Sequence, residues 1–320
     1  MQGTSASPQR LNAATRSAHI REVVLAKGVA LRQRYPILKH QDALGAGILA
    51  FALAGMIGSA ALYIQGHMAW WVCLLLNAFF ASLTHELEHD LIHSMYFRKQ
   101  RVPHNVMMGL VWLARPSTIN PWIRRHLHLN HHKVSGSETD MEERAITNGE
   151  PWGFARLLMI GDNIMSSFIR MLRAKTWAMK LSIIQRTLKV YAPLALMHWG
   201  AWYVFLGFHA ANGLAYLMGT PIEWSATMVS VMSVIDIAAV VIIGPNVLRT
   251  FCLHFISSNM HYYGDIEPGN VMQQCQVLNA WWMTPFHLFC FNFGSTHAIH
   301  HFVVKEPFYI RQMSAPVAHK

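Results

Sequence analysis

The amino-acid sequence predicts an all-α, polytopic membrane protein with four transmembrane helices and a cytoplasmic helical cap. Of its 320 residues, 53% are hydrophobic and only 13% are charged, whereas soluble proteins carry about 25% charged residues. Long apolar runs alternate with polar segments, and lysine and arginine are confined to some of those segments. The net charge of +10 fits basic cytoplasmic loops better than nucleic-acid binding.

Four apolar runs approach or reach the roughly 20 helical residues that cross a bilayer. We expect the spans at about residues 43–64, 68–84, 190–208 and 226–248. The turn between the first two is too short to be a domain, so these two runs form a helical hairpin. No linker divides the chain. We therefore expect a basic N-terminal segment at 1–42, one domain at 43–305 and a C-terminal tail at 306–320.

The basic residues indicate the orientation of these spans. Residues 1–42 contain seven lysines and arginines, residues 85–189 contain fifteen, and residues 249–320 contain four, which together are all 26 in the chain. The two short loops on the opposite side contain none. Because basic residues are enriched in cytoplasmic loops, we expect both termini and the middle loop to lie in the cytoplasm.

Three histidine clusters lie in the segments that this orientation places on one side. The first cluster has histidines at i and i+4, and the second and third share the pattern H-x-x-H-H, which puts imidazoles on one face of a helix. Asn120-Pro121 is typical of a helix start before the second cluster, and Ser295 or Thr296 would cap the third helix. The cluster residues are His85, His89, His128, His131, His132, His297, His300 and His301.

Neutral imidazole binds iron, zinc, copper and nickel, and one zinc ion takes only three or four protein ligands. Eight clustered histidines therefore indicate two metal ions. His261, just beyond the fourth predicted span, is a candidate ninth ligand, although a polar helix end at the membrane interface is an alternative. Five further residues are candidates to contact the metal-binding histidines without binding the metal themselves: Glu86, His93, His126, Asn259 and Asp236.

The three clusters, their order and the four-span layout resemble the membrane fatty acid desaturase and hydroxylase superfamily, over roughly residues 43–305. The resemblance implies a non-haem centre of two iron ions, O2 as co-substrate and electrons from a separate donor. It also implies that the eight cluster histidines and His261 are the metal ligands. His85-Glu86 resembles the alkane hydroxylase form of the first cluster, and the acyl-CoA desaturase spacing before His261 is absent.

Two other classes of protein compete with this hypothesis. His85-Glu86-x-x-His89 is also a zinc metalloprotease motif, with Glu86 as general base, but it leaves the two H-x-x-H-H clusters unexplained. A transporter could use Asp236 as an intramembrane acid, but a cytoplasmic histidine array does not suit that function. Within the enzyme hypothesis, Asp236 orients a ligand, lines the substrate path or pairs with a neighbouring span.

We expect the enzyme to oxidise an unactivated C–H bond of a fatty acid or fatty acyl chain, in a desaturase-type reaction. Hydroxylation of an alkane or fatty acid, and oxidative decarboxylation of a free fatty acid to a terminal alkene, are the alternatives, since all begin by removing one hydrogen. The expected partners are the lipid bilayer and a separate electron donor, such as a ferredoxin with its reductase, because the sequence contains neither G-x-G-x-x-G nor C-x-x-C.

Overall fold

The computed structural model describes residues 12–264, 266–267 and 269–320, so residues 1–11 of the predicted N-terminal segment lie outside the described ranges. Within these ranges the secondary structure is helical, apart from one antiparallel bridge between His261 and Cys275. The α-helices are α1 (Ala13–Arg34), α2 (Gln41–Ile64), α3 (Trp70–Ile92), α4 (Arg101–Ala114), α5 (Pro121–Val134), α6 (Met141–Ala145), α7 (Phe154–Gly161), α8 (Asn163–Arg173), α9 (Trp177–Tyr191), α10 (Leu194–Leu217), α11 (Ala226–Ala238), α12 (Gly244–Met260), α13 (Val271–Gln274), α14 (Thr284–Leu288), α15 (Phe293–Phe302) and α16 (Phe308–Ala318).

Two helices in the described ranges are long and apolar enough to cross a membrane. They are α2 and the continuous helix Ala226–Met260, in which a π-helical turn, Ala239–Ile243, joins α11 to α12. These helices match the first and fourth predicted spans. The second and third predicted spans fall largely in α3 and α10, helices of 23 and 24 residues. The all-helical prediction is confirmed, whereas four spans and a cytoplasmic cap remain predictions.

Helix α3 is the centre of the molecule and packs against α2, α4, α5, α12 and α16. Its apolar side chains, Leu83, Leu87 and Leu91, belong to the largest buried cluster, together with side chains of α2, α4 and α16. Every residue from Ala81 to Ile92 is buried, including the acidic and histidine residues of the first cluster. The neighbouring helices must therefore supply polar partners to α3 as well as apolar contacts.

The helices that carry the second and third clusters start for different reasons. The side chain of Asn120 accepts hydrogen bonds from the first backbone N–H groups of α5, and Pro121 is the first helical residue, which confirms the predicted start. The predicted cap at Ser295 or Thr296 is wrong. Helix α15 begins at Phe293, three residues before the start that a Ser295 cap would give, and follows Asn292, which has a left-handed conformation with φ 58°. Asparagine tolerates this conformation better than most residues, so the turn there replaces a side-chain cap.

The two ends of the chain pack against each other. In α1, Val24 is fully buried against Ile299 of α15 and Ala315 of α16. Arg32 and Glu306 form an ion pair with 2.7 Å between Nη2 and Oε2. The segment predicted as a tail at 306–320 thus contains α16, a helix in contact with α1, α3 and α15.

Close packing in the hairpin of α2 and α3 depends on glycine. A β-carbon at Gly55 would overlap the aromatic ring of Phe80, whereas one at Gly58 would have no neighbour within 4 Å. We expect Gly55→Leu to lower the free energy of unfolding by about 1–3 kcal/mol, because a larger side chain forces the helices apart. Thermal unfolding in detergent measures this change, with Gly58→Leu as the control; equal melting temperatures for the two variants would show that the contact is not tight.

Candidate metal centre

Ten histidines from four segments of the chain converge between the helices. Helix α3 and the residue directly after it supply three of them at intervals of four residues, which lie along one stripe of a helix. Helix α5 and helix α15 each supply an H-x-x-H-H set, and the last residue comes directly after α12. The ten are His85, His89, His93, His128, His131, His132, His261, His297, His300 and His301, all buried except the half-buried His93 and His132.

In a first group, the Nε2 atoms of four histidines form a closed ring: His93, His128, His132 and His300. The Nε2 atom of His93 lies 3.0 Å from those of His128 and His300. The Nε2 atom of His132 lies 3.2 Å from that of His128 and 3.0 Å from that of His300. Imidazole nitrogens at right angles around one ion, at about 2.1 Å from it, are about 3 Å apart. The distances therefore fit a common ion, and His89 lies beside the ring, 4.3 Å between centroids from His300.

A second group consists of His131, His261, His297 and His301, whose ligand atoms lie within 4.8 Å of one another. The Nε2 atoms of His297 and His301 are 3.2 Å apart, and the rings of His131 and His261 are 4.8 Å apart between centroids. The two groups adjoin, because the rings of His132 and His301 are only 4.9 Å apart. Together they could hold two metal ions next to each other.

Acceptors outside the two groups fix the orientation of several imidazoles. A neutral imidazole that donates a hydrogen bond from Nδ1 presents the lone pair of Nε2 to a metal ion. One of these acceptors lies directly before α6, a second lies within α6, and a third belongs to α13. The Nδ1 atoms of His128, His131 and His301 lie 2.8, 2.7 and 3.0 Å from oxygens of Glu142, Asp140 and Gln274, respectively.

Two adjacent carboxyl groups of α6 have opposite pKa shifts. Burial alone would raise the pKa of Glu142, but His128 and Arg124 outweigh burial and hold that pKa below its usual range. Burial raises the pKa of Glu143 to about 8. The Oε1 atom of Glu143 lies 3.5 Å from Nε2 of His261, so the second histidine group has a buried carboxyl group beside it.

Arg311 of α16 connects the first and third histidine clusters. This side chain is almost fully buried, and its Nη2 atom donates to Oδ1 of Asp90 at 2.9 Å and to Oε2 of Glu86 at 3.2 Å. Its Nη1 atom lies 2.6 Å from Nδ1 of His300. Nδ1 of His300 accepts from Arg311, so a metal ion at Nε2 would bind this ring as an imidazolate. Arg311 thus fixes the ring and supplies one positive charge to two buried carboxyl groups of α3.

In the structure His93, rather than His85, joins His89 in the first histidine group. His85 belongs to neither group, and its Nδ1 atom lies 3.3 Å from Nη1 of the buried Arg115. The spacing from His85 to His89 is repeated from His89 to His93, so the sequence alone leaves open which pair faces the site. Arg311 gave no sequence signal, because it follows the last cluster on a separate helix.

The other candidates for contacts with the ligands lie in different surroundings. The carboxylate of Glu86 accepts a hydrogen bond from Arg311. A zinc protease would need this carboxylate free to act as its base. His126 is exposed on α5. The amide of Asn259 bonds the backbone of its own helix and lies 3.5 Å from Arg156. Asp236 pairs with His209 of α10 at 2.8 Å, with both side chains more than 40% exposed, so it contacts no histidine of the two groups.

A cavity adjoins both groups. Histidines of the second and third clusters form one part of its wall, and apolar residues of α5, α6 and α12 form much of the remainder. His85 and Arg115 line another part. The cavity thus combines access to the candidate metal centre with a mostly apolar surface, which is typical of a site for an organic substrate.

Buried histidines between helices, two of which are apolar enough to cross a membrane, are typical of a membrane metalloenzyme. Residues 65–317 match the fatty acid desaturase family, and the chain belongs to that family. It is therefore a desaturase-like oxidoreductase of a family that depends on iron. Neither a search of curated proteins nor a search of solved structures gave a match.

We expect Arg311→Gln to lower the free energy of unfolding by about 3–5 kcal/mol, because it leaves buried carboxylates without a cationic partner. Arg32→Gln, which breaks the more exposed pair with Glu306, should cost only about 0–1 kcal/mol. Chemical unfolding in detergent, followed by tryptophan fluorescence, compares the two variants. Similar losses in both would contradict a special role of Arg311.

Proposed function

We propose that the protein is an O2-dependent membrane enzyme with two iron ions, which oxidises an unactivated C–H bond of a fatty acid or fatty acyl chain in a desaturase-type reaction. The observation that carries this proposal is the pair of adjoining histidine groups, one of them with four Nε2 atoms 3.0–3.2 Å apart. Membership of the fatty acid desaturase family supports the same class of chemistry.

The geometry supports a division of the ligands between two ions. In our assignment the first iron is held by His89, His93, His128, His132 and His300, and the second by His131, His261, His297 and His301. This set keeps eight of the nine histidines expected from the sequence and replaces His85 by His93. Nine imidazoles exceed the three or four protein ligands of one zinc ion, which favours two irons over a single catalytic zinc.

Bound iron would supply the oxidising power, drawn from O2 and two electrons, that breaking an aliphatic C–H bond requires. The protein holds the imidazoles in place through Glu142, Asp140 and Gln274, which accept from their outer nitrogens. The buried carboxyl group of Glu143 lies 3.5 Å from Nε2 of His261, and it is our candidate proton donor during oxygen reduction. The buried surroundings exclude bulk water, which protects a reactive oxidant from side reactions.

We also propose that α2, α3, α10 and the helix Ala226–Met260 cross the membrane, with both termini and the metal centre on the cytoplasmic side. The distribution of basic residues in the sequence supports this orientation. Electrons then come from a separate cytoplasmic donor, such as a ferredoxin with its reductase. A basic surface would favour encounter with an acidic donor of this kind.

The ligand assignment predicts different effects for two neighbouring histidines of α3. We expect His93→Ala to lower the iron content of the purified protein from two ions towards one, because it removes one corner of the first group. His85→Ala should keep both ions. Iron per chain, measured by mass spectrometry, gives the result, with the exposed His126→Ala as control. Loss of iron in His85→Ala but not in His93→Ala would restore the ligand set expected from the sequence.

The reaction itself is tested by feeding isotopically labelled fatty acids to cells that express the protein. We expect an oxidised lipid product that requires O2 and disappears in His300→Ala, since that histidine belongs to the first group. Mass spectrometry of the lipids and volatile products distinguishes an unsaturated acid, a hydroxy acid and a terminal alkene. No oxygen-dependent product in cells with iron-loaded protein would contradict the proposed function.

A further inference from the structure

Two buried nitrogen atoms of residues that line the cavity have hydrogens to donate and no acceptor among the described residues. Nδ1 of His85 faces Nη1 of Arg115 and therefore accepts, so the ring carries its proton on Nε2. That Nε2 atom and Nε of Arg115 are buried without a partner. Both side chains are at least 99% buried and line the cavity beside the histidine groups. Donors left unpaired in this way favour a ligand with acceptor oxygens.

The charges around these donors favour an anionic ligand over a neutral one. Arg115, Arg124 and Arg249 are the cations of this region. Glu88 forms ion pairs with the first two, and Glu142 pairs with Arg124. The partners of Arg249 are neutral side-chain oxygens. Arg249 is thus a buried guanidinium group without a carboxylate partner, and a buried cation of this kind favours an anion nearby.

The rest of the cavity wall has the character required by an alkyl chain. Side chains of α5, α6, α12 and α15 contribute this apolar surface, among them Leu127, Ile146, Leu253 and Phe293. Unpaired hydrogen-bond donors and guanidinium groups at one place, with an apolar wall beside them, match a molecule with a carboxylate head and a hydrocarbon tail. A small carboxylate such as acetate would satisfy the donors but leave the apolar wall without contacts.

From these observations we infer that the enzyme binds its substrate as a free fatty acid, with the carboxylate held by Arg115 and His85 next to the metal centre. This inference rests on the proposed function and specifies its substrate. One helical turn, about 5.4 Å, separates His85 from His89 of the first histidine group. The head group is therefore close to the irons, and the C–H bonds within their reach are those of the first few carbons after the carboxylate.

This placement restricts the products. Removal of a hydrogen from the β-carbon, followed by loss of the carboxylate as CO2, gives a terminal alkene, and insertion of oxygen at the same carbon gives a hydroxy acid. In both cases the substrate gives up two electrons, the ferredoxin-type donor supplies two, and O2 accepts four. In the first case O2 leaves as two waters and three protons are taken up, because the bound acid is a carboxylate; in the second case O2 leaves as one water and the new hydroxyl group, and two protons are taken up.

Binding is measured first, without turnover. Tritiated dodecanoate and hexadecanoate, their methyl esters and acetate are equilibrated with the purified iron-loaded protein in detergent, without an electron donor. We expect at least one of the two acids to bind about ten- to a hundred-fold more tightly than its methyl ester, which is the gain in affinity that hydrogen bonds to a charged group typically give. Acetate should not displace the bound acid. Equal binding of acid and ester would overturn the inference, and displacement by acetate would show an adventitious anion site only.

Variants separate the head-group site from general effects on the fold. Arg115→Gln and His85→Phe should each lose most of the preference for acid over ester while keeping the iron content, since neither residue is in our ligand set. The control is Arg173→Gln, an exposed arginine paired with Glu150. If a folded, iron-loaded Arg115→Gln variant kept the full preference for the acid, the carboxylate would have to bind elsewhere.

The position of oxidation gives an independent test. Fatty acids deuterated at the α-carbon, at the β-carbon or near the terminal methyl group are supplied with a ferredoxin and its reductase. We expect deuterium to be lost only from the α- or β-carbon. Loss from a remote carbon would overturn the inference but leave the proposed oxidation intact. Absence of any product, together with normal binding of the acid, would contradict the proposed function and not the head-group site.

Discussion

The buried polar end of α3 is the constraint on which the rest of the structure depends. Within two turns it carries Glu86, Glu88 and Asp90, all at most 1% exposed, and a carboxylate cannot remain charged at such positions without cationic or hydrogen-bonding partners. Distant segments supply the partners: Arg115 and Arg124 for Glu88, and Arg311 for the other two. The need to pair the buried carboxylates of α3 therefore determines where the segment after α4, helix α5 and helix α16 must lie.

The same contacts position the imidazoles. The carboxylates of α3 lie between its histidines in the sequence. The arginines that pair with these carboxylates therefore bring their own helices against the face of α3 that carries the histidines. Arg124 brings α5 with its H-x-x-H-H set, and Arg311 brings α16 against α15 and its set. Electrostatic pairing and ligand geometry are thus coupled, and a change at a charged residue far from the metal atoms should disturb the arrangement of the nitrogens.

The class of fold and most members of the candidate site could be predicted from the sequence, because they depend on the spacing of residues within single helices. The i, i+3 and i+4 spacings of the histidines, the start of α5 at Asn120-Pro121 and the apolar runs all reflect interactions within one helix. The choice between His85 and His93 could not be made locally, because both lie on the same stripe as His89. Arg115 and Arg311 were missed because their partners belong to other helices, and the start of α15 depends on a left-handed turn without a typical capping residue.

The place of Arg311 along the chain has a consequence for the order in which the site can form. Arg311 follows all ten converging histidines in the sequence, so synthesis reaches these histidines before the residue that orients His300 and pairs with Glu86 and Asp90. Until α16 has been made, these two buried carboxyl groups lack their cationic partner. Because α16 also contacts α1 and α3, the histidine groups reach their final arrangement only when α16 has docked on both.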